Sequence, residues 1–238
     1  LGKSLFNPLE HGADSFGGST HKTLPGPHKA FFCTNNNSVY DKYYEVAYHL
    51  ISHCQVASSI SLGLTLLELR DCGGNEYAQN TIYHAKQLAK ALNASEVKVA
   101  AEKLGFTGCH QVWATTNRSV AAGEIARRMN AVGLKVNVLP GLPTLDKQSF
   151  RLSTAEITKL GANSADIEAF ASIFSELINS EVMSEKSLVG IHTQVKELRN
   201  NLDKPKYCYT AEQIASMGVP DKIVDLVCLI EKTNSIDY

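Results

Sequence analysis

Residues 17–27 place a lysine in a turn made of small residues and closed by prolines. The segment reads Gly-Gly-Ser-Thr-His-Lys-Thr-Leu-Pro-Gly-Pro, with His21 before Lys22 and a Pro-Gly-Pro stop behind it. A lysine that is only a solvated charge needs no such surroundings. A lysine that forms a Schiff base must be held in one place, partly desolvated, and close to small residues that admit a flat cofactor. The segment therefore predicts a turn that presents Lys22 as a reactive amine.

The composition is that of an ordinary globular enzyme. Of the 238 residues, 44% are apolar and 20% are charged, which suits one large domain or two small ones. The formal net charge of -1 gives no electrostatic reason to expect nucleic acid or a membrane surface as partner. Because the six cysteines are scattered and form no Cys-x-x-Cys, we expect neither a metal site nor a disulfide framework, and a reducing cytoplasm fits best.

Hydrophobic periodicity and turn residues predict both helices and strands. In the first part of the chain we predict a strand at 30–34, a helix at 39–48, a buried helix at 58–69 that stops at Cys72-Gly73-Gly74, and a helix at 76–92 with one apolar face. From residue 96 strands and helices alternate. The predicted strands are 110–114, 134–138 and 149–152, and the predicted helices are 119–131, 164–178, 184–202 and 221–231.

These patterns predict an α/β chain, the end of a larger α/β domain followed by a small α+β domain. Residues 1–95 are expected to form the C-terminal part of the larger domain with its connecting helices, and residues 96–205 the small domain. A composition shift at Asp203-Lys204-Pro205 predicts that residues 206–238 form a helical tail.

The lysine segment resembles the pyridoxal 5′-phosphate lysine loop of serine hydroxymethyltransferases and their relatives, in which a Thr-His-Lys-Thr core is followed by Gly-Pro. The resemblance implies a fold-type-I pyridoxal-phosphate enzyme in which Lys22 carries the cofactor as a Schiff base. It also implies that Ser19 and Thr20 hydrogen-bond beside the cofactor and that His21 is a catalytic residue next to the lysine. The alternatives are a structural role for His21 and, for Lys22, that of an ordinary lysine in a loop.

Residues 151–161 resemble a second segment of the same family, Arg-[Val/Leu]-Gly-Thr-x-x-[Ile/Met]-Thr-Arg-Arg-Gly, without a gap. In that family the arginine binds the α-carboxylate of the substrate, and the resemblance implies this role for Arg151. The planar guanidinium suits it because two parallel hydrogen bonds match a carboxylate. A surface salt bridge is the alternative. Ser153 replaces the family's glycine and Lys159-Leu160 its two arginines, which sets the chain apart from the family's main line.

Residues 49–54 resemble the threonine transaldolase branch of this superfamily. They read His-Leu-Ile-Ser-His-Cys where hydroxymethyltransferases have a Gly-rich phosphate loop. The resemblance implies that Ser52 and His53 reach the cofactor phosphate across a dimer interface, and ordinary helix-start residues are the alternative.

Two further segments separate the chain from hydroxymethyltransferases. Residues 105–112, Gly-Phe-Thr-Gly-Cys-His-Gln-Val, also resemble the transaldolase branch, with His110 expected to be structural. Residues 136–138, Val-Asn-Val, lack the Lys and second Asn of the family's folate-binding Val-Asn-Lys-Asn segment. Since a polar pterin would lose hydrogen-bond partners there, the sequence counts against folate.

The resemblance implies the making and breaking of Cα–Cβ bonds on glycine-, serine- or threonine-like amino acids, with an aldehyde released or captured. In the family, half of the polypeptide precedes the lysine, including the aspartate that pairs with the pyridinium nitrogen. We therefore expect this chain to be the C-terminal half, working with a complementary N-terminal-half polypeptide in a dimer of such units. The alternatives are a folate-dependent serine hydroxymethyltransferase, an aminotransferase or racemase of the same fold, and a non-catalytic subunit.

Overall fold

A computed structural model describes residues 6–51, 55–116, 118–139, 141–143, 145 and 149–217. The chain divides into two compact units. The first unit is Leu1–Gln79 with Tyr207–Tyr209, and the second unit is Asn80–Lys206 with Thr210–Tyr238. The division falls after Gln79, earlier than the predicted domain boundary after residue 95, and the three-part domain organisation stays a prediction. The predicted helix at 221–231 lies outside the described residues.

The first unit is a β-hairpin followed by helices. After a 3-10 turn at Pro8–His11 come β1 (Phe16–His21), β2 (Pro25–Cys33), α1 (Asn37–Leu50), α2 (Val56–Asp71) and the start of α3 (Gly74–Ala94). The predictions of a strand at 30–34 and of three helices are confirmed. The predicted stop is also confirmed, because α2 ends at Asp71, Cys72 is its C-cap and Gly73 follows with φ +86.

The hairpin is tightly packed at its glycines. β1 and β2 are antiparallel, with Gly17 opposite Phe32 and Gly18 opposite Phe31. A Cβ at Gly17 would lie 2.7 Å from the carbonyl oxygen of Phe31, and one at Gly18 would lie 3.0 Å from the Phe31 ring. Because the Phe31 carbonyl and the Phe31 ring come this close, a side chain does not fit at Gly17 or Gly18 unless β2 shifts.

The prediction that residues 58–69 form a buried helix is wrong for the described part of the chain. The helix forms, but Thr65 and Leu69 are its only buried residues. One side of α2 packs against the hairpin, where Leu62 and Thr65 lie 3.3 and 3.6 Å from a Cβ built on Gly26. The opposite side faces solvent, because no described element packs against it.

The second unit contains a four-stranded antiparallel sheet in the order β3-β4-β6-β5. Its strands are β3 (Lys98–Val99), β4 (Gln111–Thr115), β5 (Asn137–Leu139) and β6 (Ser149–Ser153). Its helices after α3 are α4 (Ala122–Ala131), α5 (Ala155–Lys159), α6 (Ser164–Asn179), α7 (Glu185–Asn201) and α8 (Ala211–Ser216). The mixed α/β character expected from the sequence is confirmed.

The strand predicted at 134–138 starts later, at Asn137. The reason is the end of α4. Gly133 adopts φ +86, its N–H bonds the carbonyl of Asn130, and the N–H of Leu134 bonds the carbonyl of Met129. Because Gly133 and Leu134 complete the helix cap, the backbone is free to pair with β6 only after them.

The core lies in the second unit. Phe150 on β6 is fully buried and meets Phe174 on α6 edge to face, with ring centroids 5.8 Å apart. Around them one cluster joins the inner face of α3, the sheet, and helices α4, α6 and α7. In the first unit the buried apolar residues among those described are Leu69, Tyr77 and Ala78. The second unit is thus built around its own core, whereas the first unit is not.

Candidate functional site

Lys22 lies at the tip of the hairpin in the first unit. Lys22, Thr23 and Leu24 connect β1 to β2. The predicted turn is therefore observed, and it presents the amine at the end of two paired strands. Within the described part of the chain the Lys22 residue is exposed. Any desolvation must come from a group that covers the tip.

Thr20 fixes the hairpin behind the lysine. Its residue is buried, and its hydroxyl donates to the carbonyl of Pro27 at 2.6 Å and accepts the N–H of Lys29 at 3.1 Å. The single hydroxyl proton is therefore already donated within the hairpin. Contact of Thr20 with a cofactor stays a prediction, and so does that of Ser19, which is half-buried opposite Ala30.

Tyr77 fixes the hairpin on the other side of the lysine. Its hydroxyl, brought in by α3, donates to the carbonyl of Thr23 at 2.9 Å, and its side chain is almost completely buried. Sequence reasoning missed this residue. The bond joins residues 54 positions apart, and the local pattern around Tyr77 marks only a helix.

His21 has one polar atom that the described chain leaves unsatisfied. Its ring stacks on His28, with centroids 4.0 Å apart and planes 21° apart. Nδ1 of His21 is buried and has no hydrogen-bond partner among the described residues. A buried polar atom left unpaired costs about 1–3 kcal/mol. The site therefore fits an additional polar group beside His21, next to the lysine.

Arg151 lies on the outer face of the sheet in the second unit. It stands opposite Trp113 of β4 and Asn137 of β5, and its neighbours Phe150 and Leu152 point to the core. The Arg151 residue is exposed, and its guanidinium has no hydrogen bond or ion pair with any described residue. An unpaired guanidinium on a rigid strand is suited to bind a carboxylate ligand through two hydrogen bonds.

A short polar chain lies beside Arg151 on the same side of the sheet. Trp113 Nε1 donates to Gln111 Oε1 at 3.1 Å, and the Gln111 amide nitrogen lies 3.4 Å from His110 Nε2. Burial, and secondly the positive charge of Arg151, lowers the pKa of His110 below its ordinary value. His110 is thus neutral near pH 7 and leaves Arg151 as the cation of this cluster.

The segment after Arg151 is anchored by buried hydroxyls. Thr154 Oγ1 donates to the carbonyl of Thr81 at 2.8 Å. Thr158 Oγ1 donates to the carbonyl of Thr154 at 2.7 Å and accepts from His84 Nδ1 at 2.9 Å. Because α3 supplies both Thr81 and His84, the segment that follows Arg151 is hydrogen-bonded to a helix of the core. Sequence reasoning found this segment but missed His84, whose partner lies 74 residues away.

The structure brings Ser19, Thr20, His21 and Lys22 together on the hairpin and places Arg151 in the second unit. Ser52 and His53, predicted to contact a phosphate, lie outside the described residues. No helix in the described part of the chain is long and apolar enough to cross a membrane.

Comparisons with known proteins give relatives over most of this chain. No protein-family model matches it. An L-threonine:uridine-5′-aldehyde transaldolase of a Streptomyces species is 35% identical over 208 residues, 87% of this chain and 47% of the relative. A serine hydroxymethyltransferase of Sulfolobus acidocaldarius is 31% identical over 233 residues, 95% of this chain and 52% of the relative. Both relatives are therefore matched over about half of their length.

A solved structure agrees with these relatives. The crystal structure of an L-threonine transaldolase from Pseudomonas fluorescens, in the internal aldimine state, matches with a TM-score of 0.77 and 25% sequence identity. The match covers 90% of this chain and 50% of that chain. This chain therefore spans about half the length of the proteins that it resembles.

Proposed function

Since this chain is a homologue of threonine transaldolases and serine hydroxymethyltransferases with the fold of type-I pyridoxal-phosphate enzymes, we propose that it carries the lysine and the carboxylate-binding arginine of such an enzyme. The reaction is the making and breaking of the Cα–Cβ bond of a β-hydroxy amino acid, with exchange of an aldehyde. The observation that carries the proposal is the position of Lys22 at the tip of a hairpin that Thr20 and Tyr77 hold from both sides.

The described residues fit pyridoxal 5′-phosphate. Lys22 offers an exposed amine, and the buried Nδ1 of His21 lacks a partner that a polar cofactor edge would provide. When bound, the cofactor supplies an electron sink for the electron pair left on Cα when its bond to Cβ breaks. Lys22 would hold it through Nζ, and His21 would lie against it. Ser19, Thr20, Ser52 and His53 are proposed as further cofactor contacts.

Arg151 binds and orients the amino acid. Its guanidinium is free to take the α-carboxylate with two parallel hydrogen bonds. Because β6 and the anchored threonines behind it are rigid, the carboxylate is held at one position rather than only attracted. A fixed carboxylate sets the rotation about the bond between Cα and the amino nitrogen, and this rotation decides which bond of Cα is broken.

We also propose a partner that completes the site. The relatives are about twice as long as their match to this chain, so polypeptide corresponding to their other half would supply the pyridinium partner and most phosphate contacts. That N-terminal half is either joined to this chain or a separate polypeptide, and two complete units would form a dimer. Cys33 and Cys109, which form no disulfide with a described residue, support a reducing, cytoplasmic location.

The test is covalent trapping of the cofactor. The chain, with everything that co-purifies with it, is incubated with pyridoxal 5′-phosphate, reduced with borohydride and mapped by mass spectrometry. We expect the label on Lys22 and its loss in Lys22→Arg. Lys29→Arg is the matched control, because Lys29 lies on the same hairpin with its Nζ 3.0 Å from Ser59 Oγ. Labelling of Lys29, or no labelling at all, contradicts the proposal.

A folate-dependent serine hydroxymethyltransferase is the second candidate. It is favoured by the match over 95% of this chain and by Asn137, which stands on β5 directly opposite Arg151. The two candidates differ in one requirement. Exchange between threonine and a second aldehyde without tetrahydrofolate supports the transaldolase, and serine cleavage that depends on tetrahydrofolate supports the hydroxymethyltransferase.

A further inference from the structure

The hairpin that carries Lys22 contains a large bulge close to its tip. Two residue pairs enclose the bulge: Ser19 with Ala30, and His21 with Pro25. Between these pairs a single residue of β1, Thr20, stands opposite four residues of β2, 26–29, which we call the β2 bulge. Bulges are frequent next to active sites, where they change the direction in which a side chain points.

The Thr20 side chain replaces the strand pairing that the β2 bulge interrupts. Its hydroxyl donates to the carbonyl of Pro27 at 2.6 Å and accepts the N–H of Lys29 at 3.1 Å. At the start of the bulge a Cβ on Gly26 would lie 2.8 Å from the Thr20 carbonyl oxygen, so a side chain does not fit there unless the backbone shifts. The backbone is therefore held directly before and directly after His28.

Two further features restrict the β2 bulge. The ring of Pro27 fixes its own φ at about −65°, which limits the backbone just before His28. Lys29 Nζ donates to Ser59 Oγ on α2 at 3.0 Å. The bulge is thus bonded to a helix as well as to β1, and its conformation does not depend on the His28 side chain.

The β2 bulge places the ring of His28 flat against the ring of His21. The ring centroids lie 4.0 Å apart and the planes are inclined by 21°. The His28 residue is exposed, and its side chain forms no hydrogen bond or ion pair with a described residue. Stacking on His21 is therefore the contact that this arrangement provides for the His28 ring.

The stack limits how the His21 ring can move. Rotation of the ring about its bond to Cβ would drive one edge into His28, because the two centroids are only 4.0 Å apart. The buried Nδ1 of His21, which has no hydrogen-bond partner among the described residues, is thus kept in one direction. A group that is already fixed in its binding orientation loses less freedom when a ligand binds.

We propose that His28 is a positioning residue of the lysine site. Through the stack it fixes the plane of the His21 ring, so that Nδ1 is presented to the polar group that binds beside Lys22. The inference rests on the proposed function, in which this group belongs to pyridoxal 5′-phosphate. His28 itself contacts neither cofactor nor substrate and acts through His21 alone.

The first measurement is the dissociation constant of pyridoxal 5′-phosphate, by absorbance titration of the chain with everything that co-purifies with it. His28→Ala should raise this constant about 2- to 10-fold, the effect expected from the loss of one stacked ring pair. His28→Phe should restore most of the affinity, since a phenyl ring stacks in the same way without a nitrogen atom. His192→Ala is the matched control, because His192 is an exposed histidine on α7 in the second unit, and it should change nothing.

A double-mutant cycle separates this role from a general structural one. In a His21→Ala background, His28→Ala should have no further effect on the dissociation constant. The proposal is overturned if His28→Ala raises the constant by the same factor with and without His21. It is also overturned if His28→Phe binds the cofactor as weakly as His28→Ala, because the imidazole would then act by itself.

Two readouts need no cofactor. In NMR spectra the His21 ring protons should lose the ring-current shift from the neighbouring ring in His28→Ala and keep such a shift in His28→Phe. His21 signals that His28→Ala leaves in place overturn the proposal. The Lys29 amide bonds the Thr20 hydroxyl, so its hydrogen exchange should be the same in all variants. Faster exchange of this amide in His28→Ala assigns the effect to loss of the bulge and also overturns the proposal.

Failure of the positioning role and failure of the proposed function give different results. If pyridoxal phosphate and borohydride do not label Lys22 in the unmodified chain, the proposed function is contradicted and the positioning role with it. If Lys22 is labelled but His28→Ala leaves the dissociation constant unchanged, the positioning role alone is contradicted.

Discussion

The two units of this chain carry one proposed site residue each and differ in how that residue is held. In the second unit Arg151 lies on a four-stranded sheet backed by Phe150, Phe174 and the anchored Thr154. In the first unit Lys22 is held by hydrogen bonds of a hairpin whose supporting helices are half-uncovered. The comparison indicates that contacts within this chain fix the position of Arg151. The surroundings of Lys22 depend on what covers the first unit.

The largest effect is expected from the core of the second unit. Phe150→Ala should lower the free energy of unfolding by about 3–5 kcal/mol, because it leaves a cavity against Phe174. Leu64→Ala on the outer side of α2 should change it by less than about 0.5 kcal/mol in this chain alone. Urea unfolding followed by circular dichroism measures both. Trp113, the single tryptophan, reports on the second unit by fluorescence. Equal losses would show that α2 is covered after all.

The next effect concerns ligand binding by Arg151. Arg151→Ala should weaken amino-acid binding about 10- to 100-fold, because a charged hydrogen-bonded pair is lost, while retention of pyridoxal phosphate stays the same. Arg151→Lys should recover only part of the affinity, since an ammonium cannot form the two parallel bonds. Calorimetric titration of the completed enzyme with threonine measures this. Equal losses of amino acid and cofactor contradict the carboxylate role.

Removing one hydroxyl from each unit tests the difference in anchoring. Thr158→Val leaves the buried His84 Nδ1 without its partner and should cost about 1–3 kcal/mol of global stability. The Thr154 carbonyl keeps its bond from the backbone N–H of residue 158. Thr20→Val should act locally, raising hydrogen exchange at Lys29 and slowing cofactor trapping at Lys22. If Thr20→Val lowers the global free energy of unfolding as much as Thr158→Val does, the prediction is contradicted. The hairpin would then belong to one cooperative core.

Acid should affect the second unit first. Burial lowers the pKa of His84, with Lys206 lowering it further and Asp166 acting against both. The folded state therefore favours the neutral ring, so its contribution is present above the ordinary pKa of 6.5 and is lost as pH falls below it. Tm of the unmodified chain should fall between pH 7 and 5 more than Tm of His84→Gln. If Tm falls by the same amount in both proteins between pH 7 and 5, the proposed contribution of His84 is contradicted.

The smallest effect is expected in the first unit at more acidic pH. Hydrogen bonds from Arg70 and then Tyr209 lower the pKa of Asp71 to about 2, and the bond to Asp71 raises that of Tyr209 to about 12. The Asp71 contact is thus complete above the ordinary pKa of 3.8 and is lost as pH falls toward 2. The protection factors of the amides at 207–209, which correct for the pH dependence of intrinsic exchange, should fall over that range and stay constant in Asp71→Asn. Because these groups are exposed, the effect should be slight.

Local signals in the sequence predicted the elements well. The stop of α2 at Gly73 needs only a residue that accepts φ +86, and the start of α6 needs only the capping pair Asn163 and Asp166. The strand expected from residue 134 failed because Leu134 bonds back to Met129 in a helix cap, a choice that alternating apolar residues do not encode. The resemblance of two short segments identified the family. The roles of Lys22 and Arg151 that it implies stay predictions.

What the sequence determined by itself is the chemical groups, an amine in a Thr-His-Lys-Thr turn and a guanidinium on a strand, because these properties belong to residue types and their immediate neighbours. Only the tertiary structure decided which groups are already used and which remain free. Thr20 donates its proton across the hairpin, Tyr77 reaches Thr23 from another helix, and α2 keeps one apolar side open. Each of these depends on which residues come close in the folded protein. The positions of those residues along the chain do not show it.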